Sequence, residues 1–479
     1  MSSTLRNALP VRNPRTGEID LHITPAPADE VAAAAGRLRA AQKAWGAAPL
    51  EHRIAVMSRW AEAIRADRQA IIDADAADTG YGQVSQIAPD MMLGAIFGGI
   101  RGAPAAFEAA RRQGVSPNMP HVKYDSVLKP YPLVGVISPW NAPTMLSMLH
   151  VIPPLFAGCA VLLKPSEVTP RFTRPLMETV RRIPELAAVF EVVLGDGETG
   201  QAVVDHADLI SFTGSVGNGR RVAEACARRF IPCELELGGK DPVVITETAD
   251  LDKAVNAVVR GALTSTGQVC FSVERVYVHE SVHDAFVEKL VAKAERVPLN
   301  YPDRFGGPLS PFIFARQAEI VADHILDAVS KGARVRTGGE VLTLGGGLYM
   351  KATVLTDVNH EMKVMRDETF GPVVPVMRYR DADEAVALAN DTYFGLSAAV
   401  IAGTEAEARA IGERIDAGNV SIQDAFLTFA AGAVESDSFR MSGLGGKRSG
   451  VQRYLKRQGL LINTADPADL LEDGLKAAE

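Results

Sequence analysis

Residues 133–163 begin with Leu133-Val-Gly-Val-Ile137, continue through Ser138-Pro-Trp-Asn-Ala-Pro143 and an uncharged run over 144–156, and end with Ala160-Val-Leu-Leu163. The first and last pieces have the length and composition of buried strands, whereas the run between them is long enough for a helix. His150 and the pair Pro153-Pro154 would be costly in hydrocarbon, so a membrane span explains this apolar region poorly. The region instead predicts a buried helix, a turn and a buried strand.

The same alternation continues towards the C-terminus. Short apolar runs recur at 192–194 and 209–212, and helical patterns at 171–182 and 217–229 separate them. A second alternating region follows from about 238 to 442, with predicted strands near 243–245, 273–278, 373–378 and 396–401 and predicted helices near 251–263, 282–294 and 382–389. Such alternation indicates parallel sheets with helices on both faces, and dinucleotides often bind at the carboxyl ends of their strands.

The N-terminal part of the sequence is mainly helical. Apolar side chains recur at helical spacing over 29–45 and 52–65, and a further helix is predicted over 90–111. Residues 119–130 then become polar and alternating, as in a hairpin arm. Near the C-terminus, 460–463 form one strand-like piece, and the triple glycine at 345–347 predicts a loop.

Length and composition limit the class of protein. With 479 residues the chain predicts two or three domains, and 47% hydrophobic and 23% charged residues are ordinary for a globular protein. A formal net charge of -8 gives no electrostatic footprint for nucleic acid. The four cysteines have no CxxC spacing, and the first ten residues lack an apolar signal core, so we expect a cytoplasmic protein with no membrane partner.

Three side chains are candidates for catalytic chemistry. Cys270 lies at a predicted helix start, where the helix dipole would favour a thiolate nucleophile; a small buried cysteine is the alternative. Glu236 precedes a Gly-Gly pair that leaves room beside its carboxylate for proton transfer; a surface glutamate at a strand end is the alternative. The Asn141 amide, which lies between two prolines, could donate to a developing oxyanion or form an ordinary turn.

Three further motifs suit a nucleotide. They are Lys164-Pro-Ser-Glu167, with a cation and a carboxylate for ribose hydroxyls; Phe212-Thr-Gly-Ser215, before a helix whose free N–H groups can bind phosphate; and Glu368-Thr-Phe-Gly-Pro372, with a ring and a carboxylate. Each also fits an ordinary loop or turn. No G-x-G-x-x-G fingerprint follows a predicted strand, so an ordinary Rossmann assignment does not fit. The histidines lack metal-ligand spacing, so no metal site is expected.

Through seven motifs in a fixed order, the chain resembles the NAD(P)-dependent aldehyde dehydrogenase superfamily. The motifs are Pro-Trp-Asn141, Lys164-Pro-Ser-Glu167, Phe212-Thr-Gly-Ser215, Glu236-Leu-Gly-Gly-Lys240, Gly267-Gln-Val-Cys270, Glu368-Thr-Phe-Gly-Pro372 and Asn390-Asp-Thr-Tyr-Phe-Gly-Leu396. The resemblance covers about residues 10–465. It implies that Cys270 attacks an aldehyde carbonyl, that Asn141 and the Cys270 backbone N–H form the oxyanion hole, and that Glu236 activates the water that hydrolyses the thioester. The presence of Glu236 favours hydrolysis over release of a coenzyme A thioester.

The resemblance also implies that the cofactor is NAD, with NADP left open. The residues implied to bind it are Trp140, Lys164, Ser166, Glu167, Thr213, Gly214, Ser215, Leu237, Glu368 and Phe370. A carboxylate at Glu167 would accept from a ribose 2′-hydroxyl and repel a 2′-phosphate, which favours NAD. Lys164 would still tolerate a phosphate, so use of both cofactors is the alternative.

The implied fold class is α/β, aldehyde dehydrogenase-like, with two doubly wound parallel-sheet domains and a β oligomerisation arm. By that analogy residues 1–112 and 131–237 form the cofactor-binding domain and residues 238–442 the catalytic domain. Residues 113–130 and 443–479 form the oligomerisation arm and tail. Family members with such an arm are usually dimers or tetramers, so we expect a homodimer or homotetramer.

The substrate is predicted from positions that line the tunnel in relatives. Here they are Met145, Leu146, Leu149, Val269, Phe271, Asp424 and Phe426. This set offers no Arg or Lys to clamp a carboxylate, so it predicts an apolar, aromatic aldehyde of the benzaldehyde or vanillin type. A long-chain or polyene aldehyde, a semialdehyde and a non-catalytic, crystallin-like role are the alternatives. Residues 435–441 depart from the family pattern: they read Glu-Ser-Asp-Ser-Phe-Arg-Met where relatives commonly have Pro-Phe-Gly-Gly.

Overall fold

A computed structural model describes residues 7–429, 434–445 and 450–466. Its helices are α1 Ala28–Ala47, α2 Leu50–Ala66, α3 Arg68–Thr79, α4 Gln83–Ala110, α5 Pro143–Ala157, α6 Thr173–Arg181, α7 Pro184–Ala187, α8 Gly197–His206, α9 Val216–Arg228, α10 Leu251–Leu263, α11 Glu280–Ala294, α12 Ala315–Ser330, α13 Lys363–Arg366, α14 Ala382–Asn390 and α15 Glu405–Gly412. Its strands are β1 Leu9–Arg12, β2 Ile19–Ile23, β3 Gln113–Val115, β4 Val122–Pro130, β5 Leu133–Ile137, β6 Ala160–Lys164, β7 Phe190–Val192, β8 Leu209–Thr213, β9 Cys233–Glu236, β10 Asp241–Ile245, β11 Val273–His279, β12 Arg334–Thr337, β13 Val341–Leu344, β14 Gly347–Met350, β15 Thr353–Thr356, β16 Val373–Tyr379, β17 Ser397–Ile401, β18 Asn419–Ile422, β19 Gly443–Leu444 and β20 Leu455–Asn463.

The first sheet has six strands in the order β19-β9-β8-β5-β6-β7. All neighbours are parallel except β19, which pairs antiparallel with β9. The chain winds outward from β5 to β7 on one side and from β8 to β9 on the other. The strand order therefore reverses between β5 and β8, and ligands of such sheets bind at the carboxyl ends of the strands at this point.

The second sheet has seven strands in the order β12-β15-β16-β11-β10-β17-β18. The strands from β15 to β18 are parallel, and β12 adds to the edge in the antiparallel direction. Helices α10 and α11 pack on one side of it and α12 and α14 on the other, as the apolar clusters of the two faces show. The Cys270 turn leads directly into β11, one of its central strands.

A separate antiparallel ribbon consists of β20, β4 and β3. β20 and β4 pair over nine residues, from Leu455 opposite Pro130 to Asn463 opposite Val122. The ribbon is formed by residues that the resemblance assigns to the arm and tail. One strand from the segment assigned to the tail, β19, lies elsewhere, at the edge of the first sheet beside β9.

Burial explains why the central strands contain nearly continuous apolar runs. β5, β6 and β8 are covered on both faces, so almost all of their side chains are buried. Trp60, Leu38 and Phe156, from three helices, belong to the same core cluster as these strands. The α/β fold class with parallel sheets is thus confirmed.

The apolar stretch over 144–163 folds as α5, a turn at Gly158 and β6. Pro153 and Pro154 lie inside α5, and Gly158 ends the helix with φ of 97°. Among the described residues, no helix is both long and apolar enough to cross a membrane. The strand predicted at 192–194 is shifted, because β7 ends at Val192 and Gly195, with φ of 153°, turns the chain towards α8. The triple glycine begins as predicted in a turn, which joins β13 to β14.

Candidate active site

Cys270 lies in a turn between a short 3-10 helix, Thr264–Gly267, and β11. The predicted helix start is wrong, because the chain enters a strand here rather than a helix. Ser265 and Thr266 have positive φ angles of 53° and 61°, a strained conformation typical of functional sites. A Cβ on Gly267 would lie 2.2 Å from the carbonyl oxygen of Gly371, so only glycine fits before the thiol.

Two other loops reach the Cys270 turn from the first sheet. Asn141 follows β5, is buried, and donates from Nδ2 to the Gln268 carbonyl over 2.9 Å. Glu236 is the last residue of β9, and the loop after it passes against the thiol's own backbone. A Cβ on Gly239 would lie 2.7 Å from the Cys270 carbonyl oxygen. The structure therefore brings the carboxyl ends of β5 and β9 to the Cys270 turn.

Cys270 and Asn141 line one cavity of about 260 Å³. Its other lining residues are Asp75, Tyr81, Val84, Ile87, Ala88, Met91, Ala142, Met145, Leu146, Thr264, Ser265, Gln268, Val269, Phe271 and Phe426. Five of the predicted pocket residues are in this set, namely Met145, Leu146, Val269, Phe271 and Phe426. The rings of Phe271 and Phe426 pack with centroids 5.1 Å apart and form an aromatic wall next to the thiol.

Two predicted pocket residues do not line this cavity. Leu149 lies one helical turn beyond Met145, but its side chain is 54% exposed, because helical spacing fixes a face and not the length of the cavity along it. Asp424 forms an ion pair with Arg260 and accepts the backbone N–H of Phe426 over 2.9 Å. Asp424 thus shapes the loop that presents Phe426.

Sequence reasoning missed Asp75 and Tyr81, which both line the cavity. Asp75 accepts hydrogen bonds from the hydroxyls of Thr144 and Ser85, each over 2.7 Å. The signal was present in α3, where acidic residues fall on the same helical face as Ile71. A carboxylate on an apolar face is rarely buried without a function or a partner.

The reversal of strand order between β5 and β8 coincides with the predicted cofactor residues. Trp140, after β5, packs edge-on against Phe370 with ring centroids 5.3 Å apart. Thr169 holds the Trp140 loop by donating to its carbonyl over 3.2 Å. Phe370 has a positive φ of 54°, a strained conformation that aims its ring towards Trp140.

Lys164 and Glu167 lie at the carboxyl end of β6. The Lys164 ammonium is buried and forms an ion pair with Glu167 over 2.9 Å, whereas the Glu167 carboxylate stays partly exposed. Ser166 is buried between them and accepts the backbone N–H of Val168 over 3.2 Å. The motif is therefore a preorganised cation–carboxylate pair at the rim of the cleft.

Thr213, Gly214 and Ser215 connect β8 to the start of α9. Ser215 is the residue before the first turn of α9, so the free N–H groups of that helix end face the same cleft. Behind them, His150 binds Ser211 through Nδ1 over 2.8 Å and Thr213 through Nε2 over 3.0 Å. Burial lowers the pKa of His150 to about 3, so this imidazole is a neutral support for the end of β8.

Leu237 packs into the first turn of α9. A Cβ on Gly219 would lie 2.5 Å from a Leu237 methyl carbon, so α9 approaches the strand end closely only because residue 219 is glycine. The Leu237 backbone N–H donates to the Ser442 carbonyl over 2.9 Å. Leu237 therefore forms the floor between the helix end and the Glu236 loop.

Glu368 and Phe370 belong to a loop that a buried ion pair supports from below. The Glu274 carboxylate accepts the backbone N–H groups of Thr369 and Phe370 over 2.7 and 2.8 Å. It also pairs with the Lys240 ammonium over 2.6 Å, and Lys240 donates to the Thr369 hydroxyl over 2.9 Å. Lys240 is the lysine of the Glu-Leu-Gly-Gly-Lys motif, so this motif supports the loop of Glu368 as well as carrying Glu236.

The Glu368 carboxyl meets the glycine pair of the same motif. Its Oε1 accepts the Gly239 N–H over 3.2 Å, and a Cβ on Gly238 would lie 2.5 Å from Oε2. Burial, and secondarily the nearby Glu274, raise the pKa of Glu368 to about 8. The carboxyl is thus poised to change its charge near neutral pH.

The atypical segment 435–441 packs on the turn of the Asn390–Leu396 motif. The Phe439 N–H donates to the Gly395 carbonyl over 3.0 Å. Arg440 donates to the carbonyls of Asn390 and Thr392 over 2.6 and 2.9 Å. The turn that follows is retained, since the Ser442 hydroxyl donates to the Gly238 carbonyl over 2.7 Å.

These residues fit a dinucleotide along the carboxyl ends of the first sheet. A cation–carboxylate pair suits a ribose, a free helix N-terminus suits a pyrophosphate, and a second carboxylate beside an aromatic ring suits the nicotinamide half. The absence of a Cβ at Gly219 and Gly238 lets Leu237 and the Glu368 carboxyl approach these two positions closely. The path ends at the Cys270 turn.

Comparisons with known proteins agree with this geometry. The model of the Aldehyde dehydrogenase family matches residues 1–459. A protein of Mycolicibacterium smegmatis, provisionally named an NADP(+) succinate-semialdehyde dehydrogenase, is 37% identical over 94% of this chain and 87% of its own length. A 4,4'-diapolycopene aldehyde oxidase of Methylomonas is 37% identical over 70% of this chain and 61% of its own length.

Solved structures give the same result. A protein from Anabaena variabilis, provisionally named aldehyde dehydrogenase PutA, matches with a TM-score of 0.94 and 46% identity, over 97% of this chain and 99% of that one. Betaine aldehyde dehydrogenase from Staphylococcus aureus, in complex with NAD+, matches with a TM-score of 0.90 and 27% identity, over 96% and 93% of the two chains. The chain therefore belongs to the aldehyde dehydrogenase family and is an NAD(P)-dependent enzyme.

Proposed function

We propose that the enzyme oxidises an apolar, aromatic aldehyde to the corresponding carboxylic acid with NAD. The main support for this proposal is the composition of the cavity beside Cys270. Its walls are mainly aliphatic and aromatic, and among the described residues no lysine or arginine lines it. An aldehyde with a carboxylate tail would lose its hydration there without gaining a cationic partner.

The proposed reaction starts with the Cys270 thiolate. Its sulfur forms a bond to the aldehyde carbon, and the carbonyl oxygen becomes an oxyanion. The Asn141 side-chain amide and the Cys270 backbone N–H stabilise this oxyanion; the bond from Asn141 to the Gln268 carbonyl holds the amide next to the thiol. When bound, the nicotinamide supplies a hydride acceptor. Loss of that hydride from the former aldehyde carbon leaves a thioester on Cys270.

Glu236 completes the proposed cycle. Its carboxylate takes a proton from water as the water oxygen adds to the thioester carbon, and the carbon–sulfur bond then breaks. The carboxylic acid leaves and Cys270 returns as thiolate. The glycine pair after Glu236 lets the loop after β9 pass close to the Cys270 turn, since a Cβ on Gly239 would lie 2.7 Å from the Cys270 carbonyl oxygen. Hydrolysis rather than transfer to coenzyme A is therefore the proposed second half-reaction.

The preference for NAD rests on Glu167. Its partly exposed carboxylate is fixed by the Lys164 ammonium, so a 2′-phosphate on the cofactor would meet a negative charge. The Mycolicibacterium smegmatis relative has NADP(+) in its name, which makes the comparison of the two cofactors part of the test.

The names of two relatives contain the two alternative classes of substrate. The name of the Mycolicibacterium smegmatis protein contains succinate semialdehyde, which has a carboxylate. Among the described residues, no lysine or arginine lines the cavity to pair with that carboxylate. A polyene aldehyde, in the name of the Methylomonas protein, is apolar and suits the same walls. The second alternative is therefore the stronger competitor.

We also propose that the protein is a homodimer or homotetramer that assembles through the ribbon of β3, β4 and β20. Leu460, Leu461 and Ile462 are exposed on β20, and Tyr124 and Val127 on β4. Clustered apolar side chains on an edge strand are typical of an interface.

The test is a panel of aromatic, long-chain and carboxylated aldehydes, with NAD or NADP, followed by NADH or NADPH absorbance and by identification of the product. We expect aromatic aldehydes with NAD to give the highest kcat/KM and the free acid as product, with no requirement for coenzyme A. Turnover restricted to carboxylated aldehydes would overturn the substrate class and keep the cysteine mechanism. Activity that persisted in Cys270→Ala would overturn the mechanism.

A further inference from the structure

One carboxylate lies in the wall of the mainly apolar cavity beside Cys270. Asp75, on α3, is a lining residue and is almost fully buried. The Thr144 hydroxyl donates to its Oδ1 and the Ser85 hydroxyl to its Oδ2, each over 2.7 Å. Thr144 lies in the first turn of α5, and the N-terminal end of a helix favours a nearby negative charge. The carboxylate is therefore held in one orientation from two helices.

This carboxylate retains capacity to accept. A carboxylate has about four acceptor positions, and the two hydroxyls together with the Thr144 backbone N–H use only part of them. No lysine or arginine lines the cavity among the residues that the structure describes, so no cation in its wall neutralises the charge. Burial raises the pKa of Asp75, and the hydrogen bonds from Thr144 and Ser85 oppose that shift.

A second acid on the same helix provides a contrast. Asp78 is also buried, but it pairs with Arg171 over 3.0 Å, accepts the Phe172 N–H over 3.1 Å, and does not line the cavity. Its charge serves the packing of α3 against the segment before α6. Asp75 therefore differs from Asp78 in facing the cavity and in having no cationic partner there.

We propose that Asp75 is the specificity-determining residue of the cavity: it accepts a hydrogen bond from a hydroxyl group on the aromatic aldehyde, whereas a carboxylate finds no cationic partner there. This inference rests on the proposed function and narrows its substrate class to hydroxylated aromatic aldehydes. A site built to accept from a substrate hydroxyl discriminates strongly against an analogue that lacks it, because its buried acceptor is then left without a partner. The aliphatic and aromatic walls hold the ring, and Asp75 selects its substituent.

The test compares isosteric substrates. In the wild type, kcat/KM is measured for meta- and para-hydroxybenzaldehyde, for the matching methylbenzaldehydes and for carboxybenzaldehyde. We expect at least one hydroxyl compound to exceed its methyl isostere by about tenfold or more, because the methyl isostere leaves the buried acceptor without a partner. This comparison needs no variant, so it stands even if substitutions at residue 75 impair folding.

Asp75→Asn then assigns the effect to the residue, with Asp78→Asn as the matched control on the same helix. We expect Asp75→Asn to reduce the hydroxyl-to-methyl ratio severalfold, while Asp78→Asn leaves the ratio unchanged. A purely structural role of Asp75 would lower kcat/KM for every substrate in proportion, and that result would overturn the proposal.

The remaining outcomes separate this proposal from the function on which it rests. Methyl and hydroxyl compounds oxidised equally well by the wild type would keep the aromatic aldehyde dehydrogenase and overturn the role of Asp75. A preference for an ammonium-bearing aldehyde over the hydroxyl compounds would also overturn it. Failure of the wild type to oxidise any benzaldehyde would overturn both.

Discussion

At the scale of single residues, the Cys270 turn brings together loops from distant parts of the sequence. Cys270, Glu236 and Asn141 were identified from motifs, and the structure brings their loops to one turn because all three follow or precede strand ends. Leu149 was predicted for the pocket but is exposed, since spacing along a helix does not reveal where a cavity ends. Asp75 was missed because its partners Thr144 and Ser85 lie on other helices.

The buried carboxyl of Glu368 makes the stability of the folded protein depend on pH. Burial raises the pKa of its carboxyl to about 8 in the folded protein, well above the ordinary value of about 4.3. Between these values the unfolded state binds fewer protons than the folded state, so stability falls as pH rises. We expect Glu368→Gln to have the Tm of the wild type near pH 4 and a higher Tm than the wild type at about pH 9.

Thermal unfolding followed by circular dichroism at several pH values measures this effect. Glu319→Gln is the control, because Glu319 is an exposed glutamate on α12. A difference in Tm between Glu368→Gln and the wild type that stayed constant from pH about 4 to about 9 would contradict the raised pKa.

At the scale of elements, strands and helices with strong patterns were predicted well and those with weak patterns were missed. α10 has the predicted bounds, because an aspartate caps its start and its apolar spacing is regular. α12 was missed although it contributes buried side chains to the second sheet. Short edge strands such as β12 depend on a neighbour for their hydrogen bonds, and local sequence does not identify that neighbour.

The Lys240–Glu274 ion pair should contribute both to stability and to the binding of NAD. It joins β11 to the loop of Glu368 and Phe370, and removal of one partner leaves a buried charge unpaired. We expect Glu274→Gln to lower the free energy of unfolding by about 3–5 kcal/mol and to raise KM for NAD more than KM for the aldehyde. Denaturant unfolding and steady-state kinetics measure the two effects.

The double variant Lys240→Met/Glu274→Leu separates stability from positioning. Apolar replacement of a buried ion pair is often neutral for stability, so we expect unfolding free energy to recover towards the wild type. The N–H groups of Thr369 and Phe370 still lack their acceptor, so KM for NAD stays high. A double variant with the NAD affinity of the wild type would show that the pair has no positioning role.

On the scale of the whole molecule, the family pattern supplied what periodicity did not. The residue pattern indicates two alternating regions and a hairpin arm, but the assignment of these regions to domains came from the resemblance. The placement of β19 was not predictable: Gly443 and Leu444 pair with Glu236 and Leu235, more than two hundred positions away. This pairing ties the C-terminal part of the chain to the Glu236 loop.

A charge on the exposed ribbon of β3, β4 and β20 should disrupt the oligomer. Leu461 is 79% exposed on β20, so a charge there would be buried unpaired in an interface that used this ribbon. We expect Leu461→Lys to lower the molecular mass in sedimentation by at least half, and Leu326→Lys, at a leucine 70% exposed on α12, to leave it unchanged. Identical masses for Leu461→Lys and the wild type would show that the ribbon does not form the interface.

In the proposed reaction, Cys270 carries the acyl group and Glu236 removes it. The most direct measurement is mass spectrometry of Glu236→Gln, quenched after mixing with NAD and an aromatic aldehyde that the wild type oxidises. We expect one equivalent of NADH per subunit and the mass of one acyl group on the peptide that contains Cys270, with slow or absent further turnover. Continuous turnover by Glu236→Gln with no acyl group on Cys270 would contradict the proposed roles of Cys270 and Glu236.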